Sequence, residues 1–184
     1  MERMEKFNEK RYRLIAENSS GKILIMGSAQ GELHKYLKGK KIIGLDIISN
    51  NNVNVLHNLN TFSYPFGSNG FNTIIAGEII EHLEHPYMFL KECYRILKDG
   101  GNIILTTPNM HGLMYLAGSW DNKGPDKHLF AWNLDLLEAL ATRIGFTTVK
   151  KQTITAYWNR NFILKGISDL IPKLRTHLFM VFRK

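Results

Sequence analysis

The chain has 184 residues, a length typical of one domain with a substantial core, and it carries a formal net charge of +8. Its 44% of hydrophobic residues and 22% of charged residues exclude a largely disordered chain, and its single cysteine, Cys93, excludes a disulfide framework or a zinc site made of several cysteines. The basic charge favours anionic partners, such as nucleic acid, phosphorylated metabolites or acidic lipid headgroups, although solubility alone would explain it equally well.

Short apolar runs alternate with helical patterns along the chain. Seven runs predict strands: residues 22–27, 41–47, 53–57, Phe71–Gly77, 102–107, 147–155 and 177–182. Four segments predict helices: residues 1–17, 32–37, 87–97 and Leu134–Ile144. Strands that alternate with helices imply right-handed crossovers, a parallel sheet and helices on both of its faces. The sequence therefore predicts one α/β domain over residues 1–184.

Ligands of such sheets bind beyond the carboxyl ends of the strands, where the strand order reverses. The first predicted strand ends in Gly27-Ser28-Ala29-Gln30-Gly31 and leads into a predicted helix, so backbone and helix terminus can approach a ligand closely. The segment departs from the dinucleotide fingerprint G-x-G-x-x-G, because Ala29 and Glu32 occupy the second and third glycine positions. An ordinary connection between a strand and a helix remains the alternative.

Asp46 ends the second predicted strand. A carboxylate at this position can accept hydrogen bonds from the two hydroxyl groups of a ribose. Cofactors of several kinds contain a ribose, so Asp46 indicates a ribose without naming the cofactor. A turn-forming aspartate is the alternative.

Residues 57–109 carry an ordered series of motifs. They read Asn-Leu-Asn at 58–60, Pro-Phe at 65–66, Phe-Asn at 71–72, Glu-Ile-Ile-Glu-His-Leu at 78–83, Arg-Ile-Leu-Lys-Asp-Gly-Gly at 95–101 and Thr-Pro-Asn at 107–109. With these motifs the chain resembles the class I S-adenosylmethionine-dependent methyltransferases, and within them the branch of the ubiquinone-biosynthesis O-methyltransferases. The resemblance implies a Rossmann-like fold with a mostly parallel seven-stranded sheet, helices on both faces and an antiparallel last strand.

The resemblance also implies S-adenosylmethionine as cofactor. It assigns cofactor binding to eight residues: Gly27, Ser28, Gly31, Asp46, Ile47, Asn58, Leu59 and Gly77. In this assignment the glycine-rich turn lines the methionine end of the cofactor, and Asp46 holds the ribose. Asn58 faces the adenine amine with the Leu59 amide beside it, and Gly77 passes close to the sulfonium.

Three positions depart from the family pattern. Ile25 replaces an acidic residue, Ala29 replaces a glycine, and Asn58 replaces the aspartate that faces adenine. An amide oxygen can still accept a hydrogen bond from the adenine amine. A catalytically silent relative that binds the cofactor or a partner is therefore one alternative to an active enzyme.

Glu78, Glu81 and His82 stand at positions i, i+3 and i+4, which would place them on one face of a helix. Two carboxylates and an imidazole suit a divalent cation such as Mg²⁺ or Mn²⁺. The same motif, with His128 as a fourth ligand, resembles the metal site of the small-RNA 2′-O-methyltransferases. The alternative is that these side chains cap a helix and line the active-site wall.

Methyl transfer to a hydroxyl needs a base, and an imidazole titrates near neutral pH. His82, His111 and His128 are the candidates, although a structural hydrogen bond is the alternative for each. The leading prediction is O-methylation of a small-molecule, sugar or lipid-linked acceptor. A metal-dependent RNA 2′-O-methyltransferase is the second reading, and the acceptor and the oligomeric state stay open.

Three further expectations concern an insertion, membrane contact and localisation. Residues 157–174 interrupt the pattern and predict an insertion that serves as a lid, an interface or a lipid contact, or that packs on the sheet edge. No apolar run approaches the roughly 20 residues that span a bilayer, so no stable membrane insertion is expected. Residues 1–6 show no signal-peptide pattern, which predicts a cytoplasmic protein.

Overall fold

The computed structural model describes residues 2–113, 127–155, 166–168 and 170–184, and the side chains from residue 8 onward within these ranges. Its helices are α1 (Glu2–Glu17), α2 (Pro86–Ile96) and α3 (Leu134–Ile144). Its strands are β1 (Lys22–Met26), β2 (Lys41–Asp46), β3 (Val55–Leu56), β4 (Phe71–Gly77), β5 (Leu97–Pro108), β6 (Thr147–Ile154) and β7 (His177–Arg183).

The seven strands form one sheet in the order β3-β2-β1-β4-β5-β7-β6. β1 pairs in parallel with β2 and β4, and β4 pairs in parallel with β5. β7 lies between β5 and β6 and pairs antiparallel with both. The predicted α/β fold, with its mostly parallel seven-stranded sheet and antiparallel last strand, is confirmed. The order reverses between β1 and β4, which places the ligand crevice beyond their carboxyl ends.

Continuous apolar sequence explains the central strands, because parallel strands are covered on both faces. In β1 the four residues from Ile23 to Met26 are all buried. Leu24 and Met26 pack towards α2 and α3, whereas Ile23 and Ile25 pack towards α1. The sheet thus lies between two apolar layers, and the prediction of helices on both faces is confirmed.

The segment after the first strand differs from the prediction. It forms a five-residue 3₁₀ turn over Glu32–Tyr36, where a helix starting at residue 32 was expected. The chain has to enter β2 at Lys41, and Gly39, with φ of +77°, reverses its direction just before that point. The Lys40 ammonium then binds the Ala16 and Ser19 carbonyls at the end of α1. The segment between β1 and β2 therefore places a short 3₁₀ turn, and not the N-terminus of an α-helix, beside the glycine-rich turn.

Two strand boundaries also differ from the prediction. β3 has two residues where five were expected. Asn54, directly before it, is held to Gly44 of β2 by two hydrogen bonds. The Asn54 N–H donates to the Gly44 carbonyl and the Gly44 N–H donates to Asn54 Oδ1, both at 2.8 Å. β5 begins five residues early, at Leu97, because Leu97 already pairs with Phe71.

Much of the expected insertion at 157–174 lies outside the described residues, and Pro172–Leu174 forms a 3₁₀ turn. Within the described part of the chain, none of the helices has the length and apolar character needed to cross a membrane.

Candidate active site

The turn after β1 is shaped by two glycines. Gly27 and Gly31 have φ values of +75° and +69°, a conformation that residues with a Cβ rarely adopt. The Ser28 hydroxyl donates to the Asn52 carbonyl at 3.1 Å, and the Asn50 amide donates to the Ala29 carbonyl at 2.7 Å. The loop after β2 therefore holds this glycine-rich turn from one side.

A narrow cleft lies on the other side of the turn, between α1 and the ends of β1 and β4. Its walls include Arg11, Gly27, Ser28, Gly31 and Gly77. Four of the predicted cofactor residues thus meet the cleft, and they are joined there by the buried Arg11, which the sequence reading did not single out. The cleft occupies the position where the strand order reverses, as the fold rule requires.

Asp46 lies beside the glycine-rich turn at the end of β2. Its Oδ2 accepts the Ala29 N–H at 2.9 Å, and its Oδ1 accepts the Ile48 N–H at 3.0 Å. A carboxylate offers about four acceptor positions, so Asp46 can hold the turn and still accept hydrogen bonds from two hydroxyl groups. This geometry suits a ribose at the end of β2.

The other predicted adenosine contacts follow β2 and β3. Ile47 is 66% exposed directly after Asp46. The His57 N–H donates to the Asp46 carbonyl at 3.0 Å, which brings Asn58 and Leu59 to the same edge of the sheet. Asn58 is exposed, while its Oδ1 accepts the Asn60 N–H at 2.9 Å. The fold places these residues together, and their binding role stays a prediction.

Glu78 follows β4 directly and collects three partners from three elements. Its Oε1 lies 2.8 Å from Arg11 Nη1 of α1 and accepts the Thr106 hydroxyl of β5 at 2.9 Å. Its Oε2 lies 3.2 Å from His177 Nε2 of β7. Glu78 also has φ of +56°, a value that is uncommon outside glycine and concentrated at functional sites. The network fixes the Arg11 guanidinium in the wall of the cleft.

The charge of Glu78 follows from these partners. Burial by itself raises the pKa of Glu78, but His177, Arg11 and the Thr106 hydroxyl outweigh it and hold the pKa at about 2. Glu78 is therefore ionised at neutral pH. Arginine and glutamate are rarely buried without a partner, and here each compensates the charge of the other.

Glu81, His82 and His128 form a second group, which we call the carboxylate–histidine cluster. Their ligand atoms all lie within 4.8 Å of one another. The His82 and His128 rings meet edge to face with centroids 4.6 Å apart. The Leu129 and Phe130 N–H groups donate to the Glu81 carbonyl at 2.7 and 3.2 Å, which holds the segment that carries His128 against the turn after β4.

The predicted arrangement of Glu78 with Glu81 and His82 on one helical face is wrong. The segment forms only a 3₁₀ turn over Ile80–His82. Glu78 bonds to Thr106, whereas Glu81 accepts the hydroxyl of the next residue, Thr107, at 2.9 Å. Successive residues of a strand point to opposite faces of the sheet, so the two carboxylates lie on opposite faces. Glu78 is paired towards α1 and lies outside the carboxylate–histidine cluster.

The cluster has the chemistry of a cation site. Glu81 is 1% exposed, and its Oε1 accepts no hydrogen bond from the described residues, with His82 Nε2 3.9 Å away. Burial and then the nearby Glu78 raise the pKa of Glu81 well above its ordinary value, while burial and then His82 lower the pKa of His128. One carboxylate and two imidazoles fit Mn²⁺ better than Mg²⁺, which prefers a full set of oxygen ligands.

The third candidate base, His111, is not brought into this cluster. It follows β5 and lines a different cleft together with Asn109 and Asn133. The structure thus joins His82 with His128 and separates both from His111. Which of the three acts as a base stays a prediction.

Comparison with known proteins identifies the chain. A family model described as a methyltransferase domain matches residues 2–151, which is most of the sequence. The chain belongs to this methyltransferase family. It is a class I S-adenosylmethionine-dependent methyltransferase, so the resemblance, the enzyme class and the cofactor predicted from the motifs are confirmed.

Two kinds of relative are similar to this methyltransferase. A 48-residue segment is 42% identical to the mitochondrial ubiquinone biosynthesis O-methyltransferase of Mus musculus, and it represents 26% of this chain and 13% of that protein. Solved structures match nearly the whole fold. An S-adenosylmethionine-dependent methyltransferase from Archaeoglobus fulgidus aligns over 97% of this chain and 92% of its own, with a TM-score of 0.72 and 18% identity. One from Mesorhizobium loti covers 97% and 98%, with a TM-score of 0.67 and 14% identity.

The sequence reading of the methyltransferase missed two residues of the site, Arg11 and His177. Each carried a signal in the pattern. Arg11 interrupts the apolar face of α1 next to Tyr12 and Ile15, and His177 opens the apolar strand β7, where it is 3% exposed. A charged or titratable residue at a core position needs a partner, and only the structure shows that the partner of both is Glu78.

Proposed function

We propose that this methyltransferase transfers the methyl group of S-adenosylmethionine to a hydroxyl oxygen of a small-molecule, sugar or lipid-linked acceptor. The observation that carries the proposal is the carboxylate–histidine cluster, which lies just beyond β4, where the family's acceptor would sit. The similarity of one segment to ubiquinone biosynthesis O-methyltransferases supports the same chemistry. An oxygen acceptor needs a group that removes its proton, and the cluster supplies two imidazoles.

The residues around the cleft fit the cofactor. Asp46 offers acceptors for the ribose hydroxyls, and Ile47 offers an exposed apolar surface beside the adenine that Asn58 would face. The glycine-rich turn allows the backbone to approach the methionine end. Bound here, S-adenosylmethionine supplies the electrophilic methyl group, and the protein supplies position and a shielded pocket.

Arg11 would bind the carboxylate of the cofactor's methionine end. It is the buried cation in the wall of the cleft, and one of its nitrogens is already oriented by Glu78. We expect Arg11→Ala to weaken binding of S-adenosylhomocysteine about 50-fold, because a charge-assisted hydrogen bond is lost. Binding of 5′-methylthioadenosine, which lacks the amino-acid part, should change less than about threefold.

Titration of both ligands into the variant measures this difference. Arg13→Ala is the matched control, since Arg13 lies on the same helix, is exposed and pairs only with Glu9 among the described residues. It should bind both ligands as the unmodified protein does. Equal weakening of both ligands by Arg11→Ala would assign Arg11 a purely structural role.

The acceptor hydroxyl would be deprotonated at the carboxylate–histidine cluster. Burial lowers the pKa of His128, which favours the neutral imidazole that can accept a proton or bind a metal. Glu81 holds the segment of His128 through its carbonyl and fixes its own carboxyl on Thr107. This arrangement positions the two histidines before any substrate arrives.

A divalent cation, with Mn²⁺ favoured over Mg²⁺, is proposed for Glu81, His82 and His128. When bound, it would polarise a hydroxyl of the acceptor. We expect Mn²⁺ to bind in calorimetry, and binding to be weakened at least about tenfold by His128→Ala. His57→Ala, which changes a histidine outside the cluster, is the control. Methyl transfer, once an acceptor is found, should collapse with EDTA. Absence of Mn²⁺ binding together with activity in EDTA would exclude the metal.

RNA 2′-O-methylation is the second candidate. The carboxylate–histidine cluster favours it, because three of the four predicted metal ligands do come together, and so does the net charge of +8. Salt-dependent binding to an RNA oligonucleotide would distinguish it from the first candidate, since counterion release makes nucleic-acid affinity fall steeply with salt. Cytoplasmic localisation stays a prediction.

A further inference from the structure

A second cleft, of about 520 Å³, lies beyond the carboxyl ends of β5 and β6. Its walls come from the turn after β5, the first turn of α3, the end of β6 and the segment before β7. The volume is within the usual range for a small-molecule site. We call it the β5–β6 cleft.

One buried side chain organises this cleft. Asn109, 3% exposed, donates its amide hydrogens to the Lys173 carbonyl at 3.0 Å and the Arg175 carbonyl at 2.7 Å. Its Oδ1 accepts the His111 N–H at 3.1 Å. Gly112 allows the turn after β5 to lie close to the backbone of Arg175, because a Cβ at Gly112 would lie 3.0 Å from the Arg175 carbonyl oxygen. Asn109 thus fixes the backbone of three residues with basic side chains around one opening.

The basic groups of the β5–β6 cleft keep most of their donors available. Lys173 is exposed, and its ammonium has no hydrogen bond or ion pair with any residue in the described ranges. Arg175 uses one nitrogen, which donates to the Thr153 carbonyl at 3.3 Å. The His111 ring likewise forms no hydrogen bond within the described ranges. Lys173, Arg175 and the His111 imidazole therefore offer donors to the same space.

Among the described residues that line the cleft, only Asp135 carries a carboxylate. Asp135 is held by Lys151 at 2.7 Å, and Lys151 also binds Glu138. The hydrogen bond and then the charge of Lys151 lower the pKa of Asp135, and the charges of Lys173 and His111 lower it further. Lys151 is thus compensated within its own group of charges, and the positive charge of Lys173 and Arg175 remains.

We propose that the β5–β6 cleft binds the anionic group, a carboxylate or a phosphate monoester, of a small-molecule methyl acceptor through Lys173 and Arg175. This inference rests on the proposed function and narrows its acceptor to an anionic compound. A concave site with donors from Lys173 and Arg175 fits one compact anion better than it fits the long backbone of a nucleic acid.

Inorganic phosphate, added at constant ionic strength, is the probe that needs no knowledge of the acceptor. We expect saturable changes in the amide resonances of His111, Lys173 and Arg175. Lys173→Ala and Arg175→Ala should each weaken the phosphate affinity about fivefold, and Asp135→Asn should strengthen it about twofold by removing the opposing charge. Lys150→Ala is the matched control, because Lys150 lies over the Phe179 ring outside the cleft and its loss changes the net charge equally.

Phenolic acceptors offered with and without a carboxylate or phosphate group then distinguish the source of the anion. Tighter binding of the charged member of each pair, lost in Lys173→Ala, would support the proposal. Absence of saturable phosphate binding, equal weakening by Lys150→Ala, or binding of RNA without binding of phosphate would each overturn it. Titration with S-adenosylhomocysteine in parallel distinguishes failure of this inference from failure of the proposed function. A protein that binds S-adenosylhomocysteine but not phosphate would overturn only the anion site in the β5–β6 cleft.

Discussion

Replacing Asp46 with alanine is expected to weaken binding of S-adenosylhomocysteine about 100-fold. The ribose would lose the two hydrogen bonds that it is expected to donate to the Asp46 carboxylate. The Ala29 N–H of the glycine-rich turn would lose its acceptor as well. Because the ribose is common to all adenosine ligands, 5′-methylthioadenosine should weaken by a similar factor. Titration calorimetry of both ligands measures the effect.

Asp46→Asn is the graded comparison for this experiment. One amide oxygen still accepts a hydrogen bond, so its affinity should lie between those of the alanine variant and the unmodified protein. Thermal unfolding of each variant tests whether the fold is kept. An alanine variant that remains folded and binds both ligands normally would contradict the assignment of the ribose to Asp46.

Replacing Glu78 with glutamine is expected to lower the free energy of unfolding by about 3 kcal/mol at neutral pH, because Arg11 would be left buried without its carboxylate. His177 and the Thr106 hydroxyl would lose their charged acceptor as well. Denaturant unfolding measures the loss. Glu9→Gln changes an exposed ion pair on α1, the helix that carries Arg11. It should lower the free energy of unfolding by less than about 1 kcal/mol.

The pH dependence gives this prediction a sign. The pKa of Glu78 lies at about 2 in the fold, below the ordinary value of 4.5, so its stabilising effect is present above pH 4.5 and is lost as pH falls towards 2. Glu81 acts in the opposite direction, because its pKa is raised by burial and its effect is lost as pH rises. The difference in stability between the unmodified protein and Glu78→Gln follows the charge of Glu78. It should shrink from neutral pH towards pH 2, and a constant difference would contradict the ionic role.

The sheet could be predicted from the sequence because its signals are local. Central strands such as β1 and β4 are continuous apolar runs bounded by glycine, and α3 ends at Gly145, which has φ of +120°. The edge strand β3 was less predictable. It pairs over two residues, and Asn54 directly before it is held by hydrogen bonds to Gly44 in another strand.

The candidate site was predictable only in part, because its pairings join distant segments. The glycine-rich turn and Asp46 follow strand ends, so position along the chain was enough to find them. The partners of Glu78 come from α1, β5 and β7, and no spacing in the sequence indicates them. The same limit applied to Glu78 and Glu81, which share a motif but bond to neighbouring threonines on opposite faces of the sheet.

The 3₁₀ turn in place of the predicted helix at residue 32 also has a physical consequence. Tyr12 and Arg11 of α1 line the cleft beside the glycine-rich turn, and under the proposed function they lie at the methionine end of the cofactor. The Tyr12 hydroxyl donates to Glu32 at 3.3 Å and joins α1 to the turn. Under the proposed function, recognition of the cofactor therefore depends on α1 being in place.

The cleft between the glycine-rich turn, α1 and the end of β4 is the proposed site of S-adenosylmethionine. Calorimetric titration of the unmodified protein with S-adenosylhomocysteine tests it most directly. We expect one site per chain with a dissociation constant on the order of 10 µM. A protein that is folded by thermal unfolding and shows no binding at about 1 mM ligand would contradict it.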